Sequence, residues 1–211
     1  MQNWNLFVGM FLISSPILFA MIAFPDSIAW SWNEGRGGYF FALVFVVAEL
    51  IGLKIIISKK RLLALVPISL VTISYLISLE YGLREFLIES ATQFNVQLIY
   101  SWTWMWDFIV MAIFIVIGLT IFFGKRWIRI APAAPIFLSG TAIILSLDAF
   151  FPYDTLGPLQ YIVPYFVQAN VWVITALDLG TAIARDNIMF LRGDHGSMAL
   201  QVFWPSAGVH S

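Results

Sequence analysis

Six stretches of this chain stay apolar long enough to cross or nearly cross a bilayer: residues 4–24, 39–58, 62–79, 104–123, 133–149 and 159–184. A hydrocarbon core needs about 20 mostly apolar residues per helix, so these runs predict about six transmembrane helices. The composition agrees, with 61% hydrophobic and 11% charged residues. A soluble domain is about half apolar and a quarter charged. No soluble insert or internal repeat interrupts the series. The expected fold is an all-α polytopic membrane protein, one multi-span domain over residues 1–211. The first run lacks a basic segment ahead of it and reads as a span rather than a cleaved leader.

The same composition excludes several kinds of chemistry. A net charge of -1 offers nothing to nucleic acid. There is no Cys, which removes disulfides, thiolate metal sites and a thiol nucleophile from the chain. His195 and His210 are the only histidines, too few for a histidine-rich metal site. No cofactor or metal is implied.

Basic residues set the expected orientation. Lys54, Lys59, Lys60 and Arg61 lie at and after the end of the second run, and Lys125, Arg126 and Arg129 follow the fourth. These are seven of the 11 Lys and Arg residues. The alternating loops carry Arg36 with Asp26 and Glu34, then Arg84 with Glu80, Glu85 and Glu89, then Asp148 and Asp154. The two basic loops are therefore expected in the cytoplasm of a cell-membrane protein, with the acidic-leaning loops outside.

Two segments differ from the spans. Over residues 83–100, Leu83, Phe86, Leu87, Ala91, Phe94 and Leu98 recur at helical spacing, with Arg84, Glu85, Glu89, Gln93 and Gln97 on the other face. That predicts an amphipathic helix on the outer surface, either a plain connector or a lid over an outward site. After the sixth run, Ile188 to Leu191 and Met198 to Phe203 flank the turn residues RGDHGS. This predicts a short β-hairpin.

Ionisable residues within apolar runs are functional candidates by default. Glu49 is either a protonated or helix-paired structural acid or part of a polar pathway. Asp178 and Arg185 lie two helical turns apart, as interhelical glue or cavity lining, in a span that also carries Gln168 and Asn170. Glu34 and Arg36, in the loop WSWNEGRGG, can receive a substrate segment, while its tryptophans read as interfacial anchors. Trp102, Trp104 and Trp106 also read as an interface belt, with Asp107 capped or paired just inside.

The run VFWPSAGVHS, residues 202–211, combines Pro205 at a helix start with Ser206 beside it. Orphan N–H groups at a helix start favour anions and can stabilise an oxyanion. Ser206 and His210, four apart, share a face if the segment is helical. Taken as a bare pattern, a helix start with a small N-cap residue is the better account of it.

A multi-span chain whose hairpin leads into PSAGVHS resembles the exosortase and archaeosortase family. The family motif is Cys-[Ser/Ala]-Gly-[Ile/Val]-x-Ser, matched at Ala207, Gly208, Val209 and Ser211, with Ser206 where the Cys usually stands. WNEGR and FWPSAGVHS together are most similar to the thaumarchaeosortase branch. The resemblance implies an archaeal membrane transpeptidase or peptidase acting on the C-terminal sorting tails of exported proteins. It also implies an acyl-enzyme at Ser206 on the outer face, resolved by a surface or lipid acceptor. The family's assisting Arg and His belong to later helices, so the chain is expected to be a C-terminally truncated form. His210 falls at a variable position of the motif.

Serine departs from the family pattern. A helix dipole brings a thiol into a reactive range, but an alcohol needs a general base. Two other functions follow from the same sequence: a non-catalytic homologue that binds tails, and a small transporter or channel subunit using Glu49 and Asp178. Six crossings with basic loops inside would leave the terminal motif cytoplasmic, against the family's outer site. A re-entrant path over 159–184, or one miscounted span, restores the outer side.

Overall fold

The computed structural model describes residues 2–29, 34–53, 57–151, 158–193 and 196–202. The chain divides into two compact units, Met1–Ala149 and Phe150–Ser211.

The first unit is helical: α1 (Gln2–Ala23), α2 (Gly38–Leu50), α3 (Lys59–Ser78), α4 (Leu83–Gln93), α5 (Ile99–Phe123), α6 (Trp127–Ile130) and α7 (Ala133–Phe150). Four helical stretches, in α1, α3, α5 and α7, are long and apolar enough to cross a membrane. The second expected span is shorter. Helix α2 has 13 residues, about 20 Å of rise, because it closes at Leu50 and Gly52 turns away at φ 83°.

Apolar residues occupy both the inside and the outside of this unit. Ile13 and Ile17 of α1, Leu65 and Leu76 of α3, and Phe108, Ile115 and Phe122 of α5 are fully or almost fully buried. Phe7, Phe11, Leu63, Leu70, Val71 and Ile113 are exposed on the same helices, and Ile136 and Ile143 on α7. Large outward apolar side chains along four long helices are what a lipid solvent permits and water disfavours.

The helix ends explain how the elements alternate. Asn5 donates to the Ile57 carbonyl at 2.8 Å, and Arg61 donates to the Phe122 carbonyl at 2.7 Å. The start of α1, the end of α5 and the start of α3 therefore share one end, the basic one. A basic N-terminus opposes the α3 dipole, but Arg61 serves the carbonyl end of α5 instead. At the opposite end, the N–H groups of Gln97 and Leu98 both donate to the Ala149 carbonyl, at 3.0 and 3.1 Å. There α7 finishes beside the start of α5.

Proline inside α1 creates a defect that the packing repairs. Pro16 has no N–H, which frees the carbonyl of Leu12 four residues back. Ser15 and Ser69 hydroxyls donate to that carbonyl at 2.8 and 3.1 Å. The second hydroxyl also ties α1 to α3.

The amphipathic segment does not form one helix: α4 ends at Gln93 and α5 begins at Ile99. Leu87 and Ala91 are the buried residues of α4. Asn95, at φ 59°, ends it, with Asn95 N–H on the Thr92 carbonyl and Val96 N–H on that of Ala91. Phe94 and Leu98 thus lie outside the helix they were expected to join.

The second unit contains α8 (Val163–Ala176) and an antiparallel sheet of β1 (Thr181–Arg185), β2 (Ile188–Gly193) and β3 (Gly196–Gln201), in the order β1-β2-β3. The predicted hairpin is β2–β3, in register from Ile188↔Gln201 to Gly193↔Gly196. The sixth expected span is corrected. A single helix over 159–184 does not form: α8 has 14 residues and buries Val163, Val167 and Val171. Asp178, at φ 52°, donates to Thr175, and Leu179 donates to Ile174. That is a helix-terminating hydrogen-bond pair around a left-handed residue. Gly180 then approaches the Arg192 carbonyl so closely that a Cβ would sit 2.8 Å from it, and β1 begins.

Candidate functional site

The described residues with the densest polar chemistry meet at the end of the first unit opposite the basic loops. The loop before α2 supplies Arg36. Its N–H donates to the Ser27 carbonyl at 2.7 Å, and a Cβ on Gly35 would lie 2.3 Å from that oxygen. Glycine at position 35 therefore lets the loop close tightly, and the Arg36 side chain turns inward.

Arg36 is fully buried, as is Asp107, two turns into α5. Arg36 Nε donates to Asp107 Oδ2 at 2.8 Å, and Nη1 donates to Ser27 Oγ at 2.9 Å. Arg84 Nη2, from the first turn of α4, reaches the same Oδ2 at 3.4 Å. Gly82 makes that turn possible with φ 108°. Tyr75 of α3 donates to Asp107 Oδ1 at 3.0 Å, and Tyr39 of α2 donates to the Asp107 backbone carbonyl at 2.9 Å.

Trp104 forms a face of the cluster. The Arg84 guanidinium carbon lies 4.3 Å from its ring centre and that of Arg36 lies 5.4 Å away; Phe24 is 5.6 Å from Arg36. Such stacking lowers the cost of holding cations among apolar helices. Trp104 is thus a platform for guanidinium groups, where the sequence suggested an interface belt. Trp102 is also turned inward, donating to the Leu87 carbonyl and Ser90 Oγ at 3.1 Å each.

Other sequence candidates take different positions. Glu49 lies at the end of α2, where both carboxylate oxygens accept the Ala133 N–H, at 3.0 and 3.2 Å. It covers the first N–H of α7, where a helix dipole favours negative charge. Asp178 and Arg185 do not share a helix face: Asp178 ends α8 and Arg185 lies in β1, both exposed. Glu34 is exposed, separate from the buried Arg36. Ser101 donates to Asp148 at the end where α5 and α7 meet. A cleft of about 400 Å³ between α5 and α7 is lined by Ile109, Ala112, Ser139, Ala142 and Ser146 among others, without an ionisable group.

Ser206, with its neighbours Pro205 and His210, lies outside the described residues, as does His195. Sequence reasoning anticipated a paired Asp107 but not its partners. Arg36 is 71 residues away along the chain, and no local pattern announces such a contact. Arg84 reads as part of a polar helix face until the Gly82 turn aims it inward.

Comparison of the chain with protein-family models, with curated proteins and with solved structures gives no match.

Proposed function

We propose that this chain is a membrane-embedded sorting peptidase or transpeptidase, with Ser206 as its nucleophile. The observation that carries the reading is the run SAGVHS following the β2–β3 hairpin. In this chemistry Ser206 Oγ attacks the carbonyl carbon of the scissile peptide in a C-terminal sorting tail. A general base takes the hydroxyl proton, and the tetrahedral oxyanion is held by backbone N–H groups. Collapse expels the amine of the tail and leaves an ester at Ser206. A surface or lipid acceptor then resolves the ester.

The motif belongs on the outer side of a cell membrane in this reading. Support comes from the alternation of the first unit, in which α7 finishes at the end opposite Arg61 and the α5 carbonyls. In this reading α8, with 14 residues, does not cross. It is followed by a small open sheet, whose unpaired edges lipid does not tolerate. The reading counts the shorter α2 as a crossing together with α1, α3, α5 and α7, and so expects Ser206 on the side away from the basic loops.

Serine in place of cysteine favours a second reading, a homologue that binds tails without cutting them. Co-expression with a tailed substrate separates the two. The wild-type chain is expected to shorten the substrate, Ser206→Ala to abolish shortening, and Ser206→Cys to retain it. Equal processing by all three would remove Ser206 from the chemistry. Co-purification of an uncut tail with every variant would establish the binding homologue.

A further inference from the structure

Arg36 and Arg84 set two positive charges against the single carboxylate of Asp107. Among the described residues, neither arginine has another ion pair. Counted over the described residues, the cluster carries one surplus positive charge, and two of its members, Arg36 and Asp107, are fully buried. An uncompensated charge among apolar helices is expensive.

Two donors in the same cluster are also unused. Arg36 Nη2 and Trp104 Nε1 are buried without a hydrogen-bond partner among the described residues. Water can satisfy a donor, but it does not cancel a charge. A surplus cation beside two idle donors calls for an anion with several acceptor oxygens. The carboxylates nearest in sequence do not fill that role: Asp26, Glu34, Glu80, Glu85 and Glu89 are all exposed and unpaired with either arginine.

Arg84 is the open side of the cluster, with 22% of its side chain exposed. Its guanidinium is held over Trp104 at 4.3 Å. The surface around α4 is aromatic: Phe86 is 63%, Phe94 61%, Tyr81 85% and Tyr100 72% exposed. Exposed aromatic rings at the ends of long apolar helices are characteristic of head-group depth. The abundant oxygen-rich anion there is the phosphate of a phospholipid.

We infer that Arg84, with Arg36 behind it and Trp104 beside it, forms a phosphate-binding site occupied by a membrane phospholipid head group. The assignment is independent of Ser206 and survives the failure of any peptidase reading. The ligand is a phosphate oxyanion, and its two sources, a lipid and the free ion, are separable.

The test uses the whole chain in a neutral detergent. Short-chain phosphatidylglycerol and inorganic phosphate are titrated separately, with binding read by native mass spectrometry and the shift in unfolding temperature. Phosphatidylglycerol is expected to bind saturably. Arg84→Gln should weaken it about tenfold or more, the loss expected for a charge-assisted hydrogen bond. Arg84→Lys should recover part of the affinity, and Arg126→Gln, at an exposed arginine of the basic loop, should change nothing. Trp104→Phe keeps a ring and deletes the N–H, and should weaken binding by about threefold, a neutral hydrogen bond's share. Arg84→Lys and Trp104→Phe carry the test if Arg84→Gln does not fold. Competition by inorganic phosphate with the same Arg84 dependence supports the phosphate site and makes the free ion a second source. Equal binding by wild type and the Arg84 and Trp104 variants overturns it. So does no binding of either phosphate, or displacement by a peptide carboxylate alone.

Discussion

Tyr75 donates to the one carboxylate oxygen of Asp107 that neither arginine uses, at 3.0 Å. Asp107 thereby joins four segments: the loop before α2, helix α3, the first turn of α4 and α5 itself. Truncating one partner of a buried ion pair strands the other charge, a loss of about 3–5 kcal/mol. Asp107→Ala should destabilise by that order, while Tyr75→Phe should cost about 1.5–3 kcal/mol, the range for a hydrogen bond to a charged group. Reversible unfolding in mixed micelles measures both. An Asp107→Ala variant as stable as wild type would show that the cluster does not hold these segments together.

Glu49 has a structural task that a transport pathway would not give it. Its oxygens accept the first N–H of α7, and a lost helix cap of this kind costs about 1 kcal/mol. Glu49→Ala should lower stability by about that amount, whereas Glu49→Gln keeps an acceptor and should recover most of it. Sorting-tail processing should continue in Glu49→Gln. Loss of function without loss of stability in that variant would instead place Glu49 in a proton or ion path.

Asp178 offers a sharper contrast. At φ 52° it occupies the left-handed position that ends α8, and glycine adopts that conformation at less cost. Asp178→Gly should leave the fold unchanged or gain up to about 1 kcal/mol, seen as an equal or higher unfolding temperature. A carboxylate essential to transport would not survive that replacement.

The long helices were legible because burial in lipid demands long apolar runs, and the runs near 4–24, 62–79, 104–123 and 133–149 each contain most of a helix. The sixth run was misread because hydropathy is blind to the left-handed turn at Asp178 and to the pairing of β1 with β2. TAIAR is apolar enough to continue a helix, yet it pairs across the two-residue loop Asp186–Asn187, with Asp186 at φ 52°. That loop was the available strand signal, since Asp and Asn tolerate positive φ and favour tight turns. The buried cluster was only half legible. An aspartate next to a tryptophan-rich helix start implies a partner, but the Arg36 and Tyr75 contacts depend on how distant helices pack.

The side on which the sheet lies decides whether a sorting-tail reading can hold, and the chain is well suited to the measurement. It contains no Cys, so each introduced cysteine reports alone. Ser197 in β3, Thr92 on α4 and Lys125 after α5 are all exposed. In intact cells, a membrane-impermeant maleimide is expected to label Ser197→Cys and Thr92→Cys. Lys125→Cys should react only after lysis, because basic loops stay inside. If Ser197→Cys instead behaves like Lys125→Cys, α8 crosses the membrane as α2 does. Ser206 would then lie on the side where exported substrates never present their cleavage site.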